Sequence, residues 1–392
     1  MAAADRSPVA GLVAASTLPS AIQAWQMVAS AGEREDARGS PPFHLEQRLL
    51  PLPALAPGEA LVQIAGCGIC GTDLGYFFGG IPTVSRPPLT LGHEISGTVV
   101  AGDASWVGKR VIVPTILPCR SCGLCGAGRA NRCLSQKMPG NSYGPYGGFA
   151  SHIPVPTREL CEVPEQAGIP LELLAVVADA VATPYQAALR GGLEQGDRVI
   201  IVGVTGGLGI YMAQWAKLLG AEVVIGIGRS PDKLAQTQAF GVDLPLSAAA
   251  RSPREVRKEF RSLCRKNRLD ARSGWKIFEM SGTQAGQETA LELLAYAGMV
   301  VVVGFSPEPV SYHLSRLMAY DAEVRGTWGC PPEHYPYVLD QVLRERIRIR
   351  PLVTTRPMDR IRETFEEIHE RRCGMKRVVL SPEGRGEGDG GH

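Results

Sequence analysis

The sequence predicts an α/β protein in which a β-rich unit is interrupted by a doubly wound parallel sheet, and three observations carry that prediction. From about Ile22 to Pro156, proline and glycine break up short runs of strand-forming residues. From about Thr183, apolar strand patterns alternate with helical ones, the texture of a parallel sheet covered on both faces. From about Thr327 the pattern turns irregular, then ends in a helical segment, Met358 to Arg371, and a strand, KRVVLSP, which read as a return to the first unit.

The elements follow in order. LVQIAGCG, ISGTVVAG, RVIVPTIL and SHIPVP read as antiparallel strands joined by loops. RVIIVGV, a helix from Leu208 to Leu219, and EVVIGIG open the parallel sheet; WKIFEMSG, a helix and MVVVVGF continue it. The expected domains are a flexible leader (1–21), a β-rich unit (22–183), a dinucleotide-type unit (184–326), a C-terminal return (327–380) and a disordered Gly-rich tail (381–392). Between Arg251 and Arg268 lies a basic run, expected to be a solvated helix face with Glu255 and Glu259 as its partners. Its alternative role is to hold an anionic ligand.

Composition excludes some classes of partner. With 41 basic and 39 acidic residues among 392, the net charge of +2 offers no field for nucleic acid or a membrane surface. No run approaches the roughly 20 apolar residues needed to span a bilayer. Ten cysteines without a convincing signal peptide point to a reducing compartment, the cytoplasm being the simplest.

Those cysteines are the first chemical signal. CRSCGLCGAGRANRC places Cys119, Cys122, Cys125 and Cys133 at the spacing of a closed tetrahedral zinc site. Four thiolates leave no open position, so such a zinc braces a lobe and does no chemistry. Upstream, GCGICGTD offers Cys70 and LGHEISG offers His93 and Glu94, donor types suited to a catalytic zinc.

VIIVGVTGGLG joins an apolar strand to a helix. Gly203, Gly206, Gly207 and Gly209, with Leu208, would let backbone N–H groups approach a pyrophosphate at the helix N-terminus. At the end of the second strand, where an acid would bind a ribose 2′-hydroxyl, stand Gly228 and Arg229, which favours a 2′-phosphate. Gly304 and Phe305, closing the later strand, complete the expected cofactor edge.

Together GCGICGTD, GHEISGTVV, the cysteine ladder and VGVTGGLG resemble the zinc-dependent medium-chain alcohol dehydrogenases over nearly all of residues 22–380. The resemblance implies a GroES-like catalytic domain with an inserted Rossmann domain, two zincs per chain, and a dimer or tetramer. It implies that Cys70 and His93 bind the catalytic zinc, with Glu94 an alternate ligand or supporting group. The third ligand falls on Asp179, six residues before a tyrosine in a helix entering the cofactor domain, where many members have Cys or Glu. Its alternative is a buried helix acid with a basic partner. Thr72 takes the place of the family's hydroxyl relay, and Gly75 stands where some members have a relay histidine, so Tyr76 or water would complete that path.

Finer phrases, YFFGGIPTVSRPPLTLGHEISGTVVAGD and RLMAYDAEVRGTWGCPPEHYP among them, resemble a subfamily of dehydrogenases acting on 6-hydroxycyclohex-1-ene-1-carbonyl-CoA in anaerobic benzoyl-CoA degradation. That resemblance implies a cyclic hydroxy acyl-CoA substrate and NAD. NAD is the expectation and NADP the alternative, because one arginine without a second basic neighbour makes a weak phosphate site. Arg86, Arg129, Arg132, Lys137 and Arg316 lie in segments able to flank the cleft, and Trp328 is expected to form part of the acyl pocket. Other readings are a zinc dehydrogenase of another secondary or cyclic alcohol, a zinc-free quinone or enoyl reductase on the same fold, and a non-catalytic zinc protein.

Overall fold

The computed structural model describes residues 18–30 and 42–382, so most of the expected leader and nearly all of the expected tail lie outside the described residues. Three sheets organise the rest. The strand Glu59–Gly68 is central to the largest, pairing antiparallel with Glu94–Gly102, His152–Pro156 and Arg377–Ser381. Arg110–Val113 and Cys161–Glu162 extend one side, and Val353–Pro357 lies parallel to Arg377–Ser381 on the other. RVIVPTIL is strand only as far as Val113, because Pro114 lacks the N–H needed to continue the ladder.

A small sheet pairs Ala21–Ala29 with Phe43–Pro51 along nine residues and with Leu89–Thr90. No strand pattern in the sequence marks these strands. Their alternation is irregular, and Phe43–Pro51 exposes polar residues such as His44 and Gln47.

The second large sheet has six strands, all parallel, in the spatial order Leu244–Ser247, Val223–Gly228, Arg198–Val202, Trp275–Glu279, Met299–Val302, Glu323–Gly326. Helices Ala182–Arg190 and Gly209–Leu218 cover one face, and Pro253–Lys266 and Gln284–Leu293 the other. This is the doubly wound arrangement. Strand order reverses beside Arg198–Val202, which opens a crevice at its C-terminal end.

The two sheets meet through a run of 3₁₀ turns, Leu171–Ala178, whose side chains Leu174 to Ala178 are buried in a core shared with Trp215, Tyr335 and Val379. This junction ends at Asp179. The region after Thr327, expected to be irregular, contains a helix, Tyr335–Leu343, with a proline in its first turn.

The basic run is a helix, as expected, but its partners differ. Glu255 caps the helix through the backbone N–H and hydroxyl of Ser252, both 2.7 Å away, and Arg257 pairs with Glu292 of the neighbouring helix at 2.9 Å. The local N-cap competes successfully for the carboxylate.

Candidate metal and cofactor site

Cys70 ends the loop after the central strand, His93 and Glu94 open the next strand of that sheet, and Asp179 ends the junction. Ligand atoms of these four buried residues lie within 4.8 Å of one another. Cys70 Sγ and His93 Nε2 are each 3.7 Å from Asp179 Oδ2. A tetrahedral zinc with bonds of about 2.0–2.3 Å needs donor separations of roughly 3.3–3.8 Å, so the trio fits that ion. Asp179 lies between the 3₁₀ run and the helix Ala182–Arg190, and not within a helix as expected. Burial opposes its charge, but His93 and the Thr183 hydroxyl, 2.5 Å away, outweigh that and hold the carboxyl at about 2.

Glu94 is held back from the trio. Its Oε1 accepts from Arg377 Nη2 at 2.7 Å, while Oε2 is buried with no hydrogen-bond partner among the described residues. Burial pushes this carboxyl up to about 8 against the pull of Arg377. Gly68 makes the room: a Cβ there would lie 2.1 Å from Glu94 Oε2. Cys67, by contrast, faces the core fully buried, and its thiol is pushed well above its ordinary value, so it stays a packing residue.

Two residues that the sequence reading missed organise this centre. Asp73 is fully buried, and its carboxylate accepts from the backbone N–H of Cys70 at 2.9 Å and of Gly92 at 3.0 Å, and lies 3.4 Å from His93 Nδ1. It thereby fixes the loop of Cys70 and turns Nε2 of His93 toward Asp179. Its signal was present, as the last residue of GCGICGTD. Arg377 reaches in from the last strand, bonds the Ile69 carbonyl at 2.9 Å and lies against the glycine turn. No local pattern marks it, since 283 residues separate it from Glu94.

Thr72 is half-buried, with its hydroxyl oxygen 3.7 Å from Cys70 Sγ. Gly75 packs near Ile81, and the buried Tyr76 hydroxyl accepts from Asn141 at 2.8 Å.

The glycine turn stands at the crevice. Gly203 has φ +85° and lies so close to Ser281 that a Cβ would meet its Cα at 2.8 Å. Gly209 begins the helix, where a Cβ would lie 2.2 Å from the Gly203 carbonyl. Gly207 faces the Arg377 guanidinium, and Gly206 and Leu208 complete the bend. Backbone packed this tightly leaves N–H groups accessible to a phosphate at the helix N-terminus. Gly304 and Phe305 follow the strand two places along, and Phe305 is exposed. Arg229 is exposed at the end of the second strand, while nearby Lys233 is tied to the carbonyls of Cys373 and Gly374 at 3.0 and 3.2 Å.

The ladder forms a separate cluster. Cys122 Sγ lies 3.5 Å from Cys125 Sγ and 3.9 Å from Cys133 Sγ, close to the roughly 3.8 Å edge of a zinc–sulfur tetrahedron. Hydrogen bonds from Ser121 lower Cys119 to about 6, whereas burial and adjacent thiols raise Cys125 to about 12. Four thiolates this close are charged together only around a cation.

Trp328 is 37% exposed beside this lobe. Of the five cations expected near the cleft, Arg132 stacks over Trp328 and Lys137 over Tyr143. Arg129 and Arg86 are exposed. Arg316 does not join them: it lies on the parallel sheet's flank, paired with Glu292 at 3.2 Å between Tyr312 and Tyr320. Its helix, Ser315–Tyr320, follows the strand Met299–Val302 on that flank.

Comparisons with known proteins identify the fold and the family. A family model described as the alcohol dehydrogenase GroES-like domain matches residues 56–165, and one described as zinc-binding dehydrogenase matches residues 207–344. A sorbitol dehydrogenase from Gallus gallus is 29% identical over 338 residues, 83% of this chain and 89% of that protein. An alcohol dehydrogenase from Geobacillus stearothermophilus is 28% identical over 86% of this chain and 95% of its own length. The solved structure of an alcohol dehydrogenase from Thermus sp. ATN1 has the same fold, with a TM-score of 0.77 at 23% identity, covering 92% of this chain and 99% of that one. With both parts of the fold matched and a zinc-type donor set beside a dinucleotide turn, the chain belongs to the zinc-dependent medium-chain alcohol dehydrogenases, oxidoreductases that act on CH–OH groups with a nicotinamide cofactor.

Proposed function

We propose that the enzyme oxidises a secondary carbinol on a ring, with 6-hydroxycyclohex-1-ene-1-carbonyl-CoA as substrate and NAD as hydride acceptor. The observation that carries the reaction class is the buried Cys70, His93, Asp179 trio beside the glycine turn. When bound there, zinc supplies a Lewis acid for the alcohol oxygen and NAD takes the hydride. The chain's own work is positioning and proton handling. Cys70, His93 and Asp179 hold the metal, and the Glu94–Arg377 pair keeps a carboxylate in reserve beside it. Thr72 accepts the alcohol proton at Oγ1 and passes its own toward solvent. Gly203, Gly206, Gly207 and Gly209 admit the pyrophosphate, and Arg377 adds a cation beside Gly207. The 119–133 cysteines hold the second zinc.

The acyl-CoA substrate rests on the residue phrases noted above and on the exposed Arg132 over Trp328, with Arg129 and Lys137 exposed in the same lobe, cations suited to phosphates. A second reading, a polyol substrate, is favoured by relatives named sorbitol dehydrogenase and L-galactonate-5-dehydrogenase. The deciding assay measures NAD reduction with the cyclic hydroxy acyl-CoA, sorbitol and simple cyclic alcohols. A kcat/KM for sorbitol above that for the thioester refutes the acyl-CoA reading.

We also propose a homo-oligomer in a reducing, cytoplasmic setting. Its supports are ten cysteines outside any disulfide and an edge strand, Glu323–Gly326, that carries exposed Val324 and follows exposed Leu314 and Met318. Among the described residues no helix is long and apolar enough to cross a membrane. A monomer by light scattering at micromolar concentration overturns the oligomer.

A further inference from the structure

We propose that the four-cysteine lobe, besides being a brace, sets the position of the Trp328 wall and thereby the substrate preference; this rests on the reading that Trp328 lines the cleft. Three contacts hold Trp328, and each comes from the lobe. The Arg132 guanidinium lies 5.2 Å from the ring centroid, Trp328 Nε1 donates to Gln136 Oε1 at 3.1 Å, and Asn131 Nδ2 donates to the Trp328 carbonyl at 2.6 Å. Asn131, Arg132 and Gln136 flank Cys133, whose thiolate is shared with the ladder. A fourth tie lies just beyond: Arg120, between two ladder cysteines, reaches Glu333 at 3.1 Å while gripping the fully buried Glu159 at 2.5 Å.

The other side of the Trp328 segment runs toward the metal trio. Gly329 has φ +47°, and a Cβ there would meet Ile116 at 3.0 Å. Next to Ile116, the Thr115 hydroxyl lies 3.0 Å from the His93 carbonyl and 2.9 Å from that of Ala178, the residue before Asp179. The segment 328–330 is thus fixed by the trio's supports at one end and by the lobe at its indole. A half-exposed tryptophan without such contacts would sample other rotamers, and the wall would lose its shape. Arg132, Gln136 and Asn131 are therefore positioning residues, acting through Trp328.

The test uses Arg132→Ala and Gln136→Ala, exposed or half-exposed sites whose loss leaves the core intact, with Arg132→Lys as the conservative control and Trp328→Ala as the reference. The activity readout is the ratio of kcat/KM for cyclohexanol to that for 2-propanol. The other is acrylamide quenching of the Trp328 emission, taken as wild type minus Trp328→Phe, which needs no turnover. Both alanine variants should shift the ratio about threefold and raise the quenching constant about twofold, with Arg132→Lys restoring most of each. If Trp328→Ala changes the ratio while both lobe variants match wild type in ratio and quenching, the lobe does not hold the wall. If Trp328→Ala itself leaves the ratio unchanged, Trp328 is not in the cleft, and the inference falls with that placement.

Discussion

Asp73 gives the sharpest test of how the centre is built. Its carboxylate serves two backbone N–H groups, of Cys70 and Gly92, and faces His93 Nδ1, all from a fully buried position. Asp73→Ala would leave both N–H groups without an acceptor, at about 1–3 kcal/mol each, or roughly 2–6 kcal/mol together. That is a large part of a typical stability of about 5–15 kcal/mol, so alanine tests folding more than metal binding. Asp73→Asn is the better probe. It keeps one acceptor oxygen, turns an amide N–H₂ toward a donor, and removes the charge opposite His93. Losing a supporting partner of this kind weakens metal binding by about 10–100-fold. The variant should therefore release one of two zincs to a chromophoric chelator 10–100 times more readily than wild type, by about that order. The second zinc, held by the remote ladder, should be released as in wild type. Excess zinc should restore turnover. If Asp73→Asn holds both zincs within about twofold of wild type, Asp73 does not organise the ligands, and the 3.4 Å approach to His93 is packing alone.

Three further outcomes follow from named contacts. Thr72→Val should lower kcat about 10²-fold with NAD affinity retained, while Thr72→Ser keeps most activity; an unchanged kcat in the valine variant excludes the relay. Arg229→Ala should lower kcat/KM for NADP about tenfold, the worth of one charge-assisted hydrogen bond, and leave NAD within about twofold. An unaltered ratio of the two cofactors removes Arg229 from phosphate recognition. Arg377→Ala removes the donor to Glu94 Oε1 and to the Ile69 carbonyl, in a site where the side chains of Arg377 and Glu94 are 9% and 0% exposed, and should destabilise by about 1–3 kcal/mol per acceptor left unpaired in urea unfolding. Adding Glu94→Gln should recover part of that loss; strict additivity of the two substitutions refutes the pairing.

The parts of this molecule that were legible in its sequence are those whose physics is local. The cysteine ladder depends on two-residue gaps, the glycine turn on close backbone approach, and the parallel strands on apolar runs buried on both faces; each is written within a dozen residues. What could not be read depends on distance along the chain or on competition between partners. Arg377 meets Glu94 and Gly207 only because the last strand adds to the central one at Cys67 and Gly68. Glu255 has basic neighbours on its own helix, yet the Ser252 cap takes its carboxylate, and Arg257 turns to Glu292 on a helix still unformed in any local reading. Asp73 lies in plain sight in GCGICGTD, but an acid three residues after a cysteine carries no spacing rule of its own. Substrate identity depends on the same kind of distant contact. Trp328, proposed as a cleft wall, meets Asn131, Arg132 and Gln136 nearly 200 residues earlier in the chain, and contacts between segments so far apart leave little trace in either one.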